Sequence, residues 1–295
     1  MERVLVSGVS GPIGAALLPY LESQGARIVR LVRGPARGSD QISWDPIRPL
    51  AAAVSGFEAV IHLAGETVAG RWTEAKKKAI RESRVQGTRH LADALAKTQS
   101  RPRVFICASA IGFYGNRGDE VLTEASPAGK GFLPEVTREW EAASQIAAEA
   151  GIRTVNLRLG LVLSPKGGAL KKILTPFKLA LGGKIGSGQQ WWSWIHVDDI
   201  VGALHHALQT DSLSGPVNLV APNPVRNADF TKVLASVRRR PAFFHVPAFA
   251  ARLAFGEMAD ELLLSSERVE PAKLRGSSYA FRFAELRLAL EDLVG

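Results

Sequence analysis

One cysteine, Cys107, stands among 295 residues, which excludes an intrachain disulfide and a cysteine-rich metal site. It lies in "RVFICASA", a strand-like apolar run, and is expected to be a packed core thiol. No apolar run approaches the ~18 residues that a membrane-spanning helix requires. Internal repeats and low-complexity segments are absent, and no obvious linker interrupts the chain. The first strand-like run, Arg3–Ser7, starts almost at Met1 and leaves no room for a signal or transit peptide. The expectation is a cytoplasmic protein, monomer or homodimer, with no membrane partner.

What is present describes a globular chain. Hydrophobic residues make up 46% and mean hydropathy is +0.04, so a sizeable core is affordable in one large or two unequal domains. The 37 basic and 28 acidic side chains give a formal charge of +9. That excess admits nucleic acid, an anionic surface, or a phosphorylated ligand. The basic residues read as scattered over helix faces, Lys76–Lys78 and Arg238–Arg240 among them, so no nucleic-acid partner is expected.

Short β-branched runs alternate with amphipathic stretches through the first two-thirds of the chain. Strands are predicted at 3–7, 27–32, 41–44, 59–64, 103–109 and 153–159, and helices at 12–24, 73–97 and 134–150. Most of the strand runs are continuously apolar, the mark of strands covered on both faces. Thr73 fits an N-cap and Pro134 a first helical turn. The βαβα order predicts an α/β fold of Rossmann type, a doubly wound parallel sheet, over residues 1–160. Some later segments return to that sheet. Residues 161–295 form a smaller, mainly helical substrate-side domain. Within it, "IHVDDIVGALHHAL" reads as a strand running into a helix capped by Asp198, "PVNLV" as a strand, and Asn227 as the N-cap of a helix over 228–239.

The strongest motif is "RVLVSGVSGPIGAALLPYL", which sets Gly8, Gly11 and Gly14 between a strand and a helix. A tight turn needs a residue tolerant of positive φ, a pyrophosphate approaching the backbone leaves no space for a Cβ, and close helix–strand crossing needs a small third residue. The helix N-terminus supplies N–H donors to the anion, and Pro12 suits its first turn. Ser10 and Ile13 complete the predicted dinucleotide turn. At the end of the second strand, "RLVRGPARG" carries Arg33 and Arg37 and no acid. An acid there would accept from ribose hydroxyls and repel a 2′-phosphate, whereas an arginine fork binds one. The predicted cofactor is NADP(H).

Together "GVSGPIG", "HLAGE", "SRVQGT", "SAIGFYG", "REWE", "LRLGLVLSPKGGAL", "WIHVDDI" and "APNPVRNADF" resemble the atypical extended short-chain dehydrogenase/reductases, more narrowly the NAD(P)-dependent epimerase/dehydratase-like "epimerase family" with its C-terminal domain of unknown function. The likeness spans essentially the whole chain. It implies that Gly8, Gly11, Ile13 and Gly14 line the pyrophosphate turn, that Arg33 neighbours the adenosine phosphate, and that Leu63, Ala64, Gly65 and Glu66 form a loop passed closely by the cofactor. It makes Ser109 the active-site serine at the end of the fifth strand and places a small-molecule substrate against the region after residue 160.

The chain departs from that family's usual catalytic pattern. A phenol with a pKa of about 10 becomes a base near neutrality only if a nearby cation stabilises it by roughly 4 kcal/mol. The usual Tyr and the Lys four residues on are replaced, in the best register, by Leu133 and Thr137, and Arg84 stands where an Asn is usual. The substitutes on offer are Ser109 and Tyr114 as hydrogen-bond donors, Arg84 as electrostatic anchor and Glu66 as the nearest carboxylate. Against this, Tyr114 reads equally as a packed loop aromatic and Arg84 as a structural ion-pair partner. Trp194 reads as core, and Trp191 or Trp192 as a floor for a ring-shaped substrate. No metal is expected: His196 with Asp198 and Asp199 reads as structural, and His205 and His206 point different ways. Three functional readings stand: an NADP(H)-dependent oxidoreductase or epimerase-like enzyme, a cofactor-binding sensor or scaffold that has lost catalysis, and, from charge alone, an RNA-binding Rossmann protein.

Overall fold

A computed structural model describes residues 3–50, 54–179 and 181–295. Seven strands form one wholly parallel sheet: β1 (Arg3–Ser7), β2 (Arg27–Val32), β3 (Gln41–Ser43), β4 (Ala59–His62), β5 (Val104–Ala110), β6 (Arg153–Leu159) and β7 (Gly215–Leu219). Their order is β7-β6-β5-β4-β1-β2-β3, with Leu5 beside Val29 on one side and Val60 on the other. The chain runs one way from β1 to β3 and then the other way from β4 to β7. The crevice above the ends of β1 and β4 is therefore the topological switch point, where open α/β sheets bind ligands.

Helices cover both faces, as the continuously apolar strands require. Val4, Val6, Ile61 and Ile106 pack under α1 (Pro12–Ser23) and, further along the chain, α5 (Val197–Gln209). Leu5, Val60, Phe105 and Cys107 pack under α2 (Glu74–Lys97) and α3 (Phe132–Glu149). Cys107 is buried there, where desolvation pushes its thiol up to about 12 and keeps it protonated. Thr73 caps α2, its hydroxyl accepting from Lys76 N–H at 3.2 Å.

A second core gathers Leu163, Phe177, Trp194, Phe230 and Leu290. It is built around α4 (Gly168–Lys178), α6 (Asn227–Arg238) and a C-terminal helix, Leu286–Val294, with α7 (Ala248–Phe255) further out. Trp194 is fully buried in it. The chain's end is tied back to the first unit by the parallel pairing of Arg268–Val269 with Val121–Leu122.

Three local expectations are corrected. β4 stops at His62: Leu63 N–H is shared between the Ser7 carbonyl and Ser7 Oγ, at 3.3 and 3.2 Å, and Ala64 N–H turns to Ser7 Oγ at 3.4 Å. α6 starts at Asn227 itself, whose Oδ1 accepts from Ile185 N–H and so pins a neighbouring loop instead of capping. The cap of α5 is His196, whose Nδ1 accepts from Asp198 N–H. Asp198 pairs with Arg282, and Asp199 accepts the N–H groups of Arg282 and Phe283.

Candidate functional site

The glycine turn sits at the switch point. Gly8 leaves β1 with φ +73°, and a Cβ there would lie 2.5 Å from the Leu63 carbonyl carbon. At Gly14 a Cβ would stand 2.6 Å from the Gly8 oxygen. The turn closes through Gly11 N–H donating to the Gly8 carbonyl at 3.1 Å. Gly11 is then the N-cap of α1 with Pro12 behind it, and no side chain caps the helix, so Ile13 and Gly14 offer their first-turn N–H groups to an anion. Ser10 is exposed on the turn.

The facing loop is held from beneath by a pair that the sequence reading missed. Ser7 Oγ lies 2.6 Å from His62 Nδ1. Burial drives the His62 pKa down to about 4, so the ring is neutral at physiological pH. Because Ser7 Oγ already accepts the N–H groups of Leu63 and Ala64, its own proton goes to Nδ1. One buried hydroxyl thus fixes the loop against the glycine turn. The only trace in the sequence is a serine before "GVSG" and a histidine before "LAGE".

Arg33 follows β2 and lines a surface cavity of about 310 Å³ with Gly34, Ser43, Trp44, Asp45 and Pro46. Asp45 does not confront it unpaired: its carboxylate accepts Ile47 N–H and meets Arg48 at 3.4 Å. Arg37 is exposed outside that lining, its N–H on Gln41. A larger cavity of about 540 Å³, at the starts of α2 and α3, shares no residue with the glycine turn. Its charged groups are engaged by the chain, Lys77 with Glu257, Arg81 with Glu135, and Glu261 with the N–H groups of Phe132 and Leu133.

Arg84 lies directly under Gly65, where a Cβ would come within 3.3 Å of its guanidinium carbon. It donates to the carbonyls of Glu66 and Ile80, and its guanidinium stands 5.1 Å from the Trp140 ring. Burial lowers its pKa to about 10, which leaves it charged. Glu66 is not a free base. Its carboxylate meets Lys76 at 2.7 Å, a bond that holds it below the usual carboxylate range, and its N–H donates to Ser83 Oγ.

The end of β5 departs from expectation. Tyr114 is fully buried, and this corrects the reading in which its hydroxyl reaches the cleft. That hydroxyl lies 2.7 Å from Asn218 Oδ1 and 2.9 Å from the Thr123 carbonyl, and accepts from Arg158 Nη1 at 2.9 Å. Burial raises its pKa above the ordinary phenol value. Ser109, buried too, donates to Glu141 Oε1 at 2.6 Å. Glu141 and Arg158 form a two-pronged pair, both prongs 2.8 Å, and Arg158 also lies 3.5 Å from the centroid of the Phe113 ring. The structure therefore brings Ser109 and Tyr114 together through an ion pair between α3 and β6, and leaves Arg84 outside that cluster. Leu133 and Thr137 are both buried on α3, Thr137 donating to the Leu133 carbonyl.

The tryptophans divide. Trp192 packs edge-on against Phe230, inside the second core. Trp191 donates to Asp119 and lies between the guanidinium groups of Arg226 and Arg268, at 4.2 and 4.7 Å. His205 turns to Tyr20 and His206 to Ser277.

Comparison with known proteins bears on this geometry. Residues 4–220 match the family model described as NAD dependent epimerase/dehydratase family, and residues 246–293 match a domain of unknown function, DUF1731. An epimerase family protein of Mycobacterium bovis is 39% identical over 292 residues, covering 97% of this chain and 96% of that protein. The crystal structure of human epimerase family protein SDR39U1 with NADPH superposes with a TM-score of 0.92 at 34% identity, covering 99% of this chain and 98% of that one. A nucleoside-diphosphate sugar epimerase from Corynebacterium glutamicum gives a TM-score of 0.84 at 39% identity, covering 99% of this chain and 58% of that one.

Proposed function

The chain belongs to the NAD dependent epimerase/dehydratase family, and from that premise we propose that it binds NADP(H) and acts as an oxidoreductase or epimerase-like enzyme on a small molecule. The observation that carries the reading is the glycine turn over the switch point, closed so tightly that neither Gly8 nor Gly14 has room for a Cβ. The groups present fit the cofactor: uncapped N–H groups of Ile13 and Gly14 for the pyrophosphate, the Leu63–Gly65 loop held close by Ser7, and Arg33 beside a cavity of about 310 Å³ for the adenosine end. The human relative crystallised with NADPH supports the choice of the phosphorylated dinucleotide.

When bound, such a cofactor supplies or accepts a hydride. The chain's own part is positional. Arg84 fixes the loop after β4 from below and keeps a positive charge under it. Glu141 and Arg158 hold the end of β5, with Ser109 and Tyr114 as positioning residues within that cluster. Proton transfer by a tyrosine–lysine pair is not available, because Leu133 and Thr137 occupy those places.

Arg33→Ala is expected to weaken NADPH by about tenfold while leaving NADH within about twofold, since a charge-assisted bond to phosphate is worth ~1.5–3 kcal/mol. Fluorescence titration of both nucleotides checks it; equal losses would remove Arg33 from phosphate recognition.

A second reading, a catalytically silent NADP(H) sensor, has a specific observation behind it. The hydroxyls of Ser109 and Tyr114 are both engaged by the chain itself. A panel of carbonyl compounds separates the two. Oxidation of NADPH that falls in Glu141→Gln supports the enzyme; tight binding without turnover across the panel supports the sensor.

A further inference from the structure

The charge of +9 is not scattered. Residues 165–197 and 230–256 hold ten lysines and arginines and no aspartate or glutamate, while the other 27 basic residues are matched by 28 acids. The two stretches meet in space. Phe244 N–H donates to the Gly182 carbonyl, Val246 N–H to Lys184, and Gly186 N–H back to Val246. Of the basic residues at this junction, Lys178, Lys184, Arg239 and Arg240 are exposed and make no ion pair among the described residues.

The same junction exposes large apolar side chains. Phe243 is 89% exposed, Phe249 71% and Leu253 76%, with Leu179, Leu181 and Phe244 also open to solvent. On α7 the usual amphipathic arrangement is inverted. Ala251, the small residue, is buried, whereas Phe249 and Leu253, one turn apart and so on one face, point outward. Acids stand only at the far end of α7, where Asp260 is paired with Arg252 and Glu257 with Lys77. Exposed apolar side chains beside unpaired cations mark an interaction surface.

We propose that this face, from the end of α4 across α7, is a docking surface for an anionic lipid leaflet, on which the protein lies peripherally. Aromatic and aliphatic side chains enter the acyl boundary while lysines and arginines meet the lipid phosphates, the arrangement of interfacial helices. No described helix is long and apolar enough to cross the bilayer, so the mode is adsorption. A second copy of the chain fits worse, since a two-fold contact would set Lys184, Arg239 and Arg240 against cations. Single-stranded nucleic acid would stack on the phenylalanines but offers nothing to Leu179, Leu181 and Leu253, which have no π face. The proposal replaces the expectation of no membrane partner, which followed from the lack of a spanning apolar run.

Co-sedimentation of the full chain with vesicles tests it. Binding is expected to phosphatidylcholine vesicles containing phosphatidylglycerol, not to phosphatidylcholine alone, and to weaken with added salt. Arg239→Glu with Arg240→Glu should weaken binding on the order of tenfold or more. Phe249→Glu with Leu253→Glu should abolish it, with the thermal midpoint unchanged because both side chains are exposed. No binding to anionic vesicles overturns the proposal. So does full binding by the Phe249/Leu253 variant, self-association through these residues, or their use in holding single-stranded RNA in place of vesicles.

Discussion

Gly8→Ala is expected to abolish NADPH binding and to remove much of the protein's stability. Two costs coincide at this position. The backbone is at φ +73°, where a Cβ-bearing residue carries about 1–3 kcal/mol of strain. The new methyl also meets backbone, 2.5 Å from the Leu63 carbonyl carbon and 2.7 Å from the Ala64 nitrogen, so no side chain can swing aside. Overpacking of this kind costs about 1–3 kcal/mol more, against a total stability of ~5–15 kcal/mol. Relief requires the Leu63–Gly65 loop to move off the turn, which also breaks the bonds that Ser7 Oγ makes to it. Gly25→Ala is the control. Its φ is +78° with nothing within 4 Å, so it should lose only the strain and keep its affinity. Denaturant unfolding and NADPH titration of both variants check this; equal behaviour would show that the close approach at Gly8 is unimportant.

The second large effect is expected at the Glu141–Arg158 pair. Its side chains are 13% and 4% exposed, so either partner left alone is a charge with little access to water. Breaking such a pair costs about 3–5 kcal/mol, whereas replacing both partners with apolar residues of similar volume costs far less. Arg158→Met should therefore be severe, Glu141→Leu severe, and the double variant milder than the sum of the two losses. Arg158→Met also removes the donor to Tyr114 and the group facing the Phe113 ring. A double-mutant cycle by denaturant unfolding measures the coupling. Additive losses would mean that the two side chains do not act as one unit.

The contrast between these sites explains what the sequence discloses and what it hides. The glycine turn is local: strand, three glycines, proline and helix follow one another within twenty residues, and each has a steric reason to be there. β6 and the capped start of α2 are legible for the same reason, through an apolar run and a threonine before a helical pattern. The Glu141–Arg158 cluster is not local. It joins a residue on α3 to one on β6 and reaches Asn218 on β7, and neither periodicity nor propensity predicts which polar side chains on separate elements will face one another. Tyr114 illustrates the point: its place after β5 is readable, but whether a loop side chain turns out to the cleft or in to the core depends on Arg158 and Asn218 being there to receive it. The expected caps of α5 and α6 fail similarly: Asn227, for one, is drawn away from its helix by Ile185 N–H. The basic face is hidden by distance along the chain, because the segments at 182–186 and 244–246 meet only after folding.

The central claim is that the end of β2 and the glycine turn select the phosphorylated dinucleotide. Calorimetric titration of the unmodified chain with NADPH and with NADH tests it most directly. The account predicts that NADPH binds more tightly by about tenfold or more, the difference corresponding to ~1.4 kcal/mol or more from the extra phosphate on Arg33. NADH binding as tightly as NADPH would contradict it.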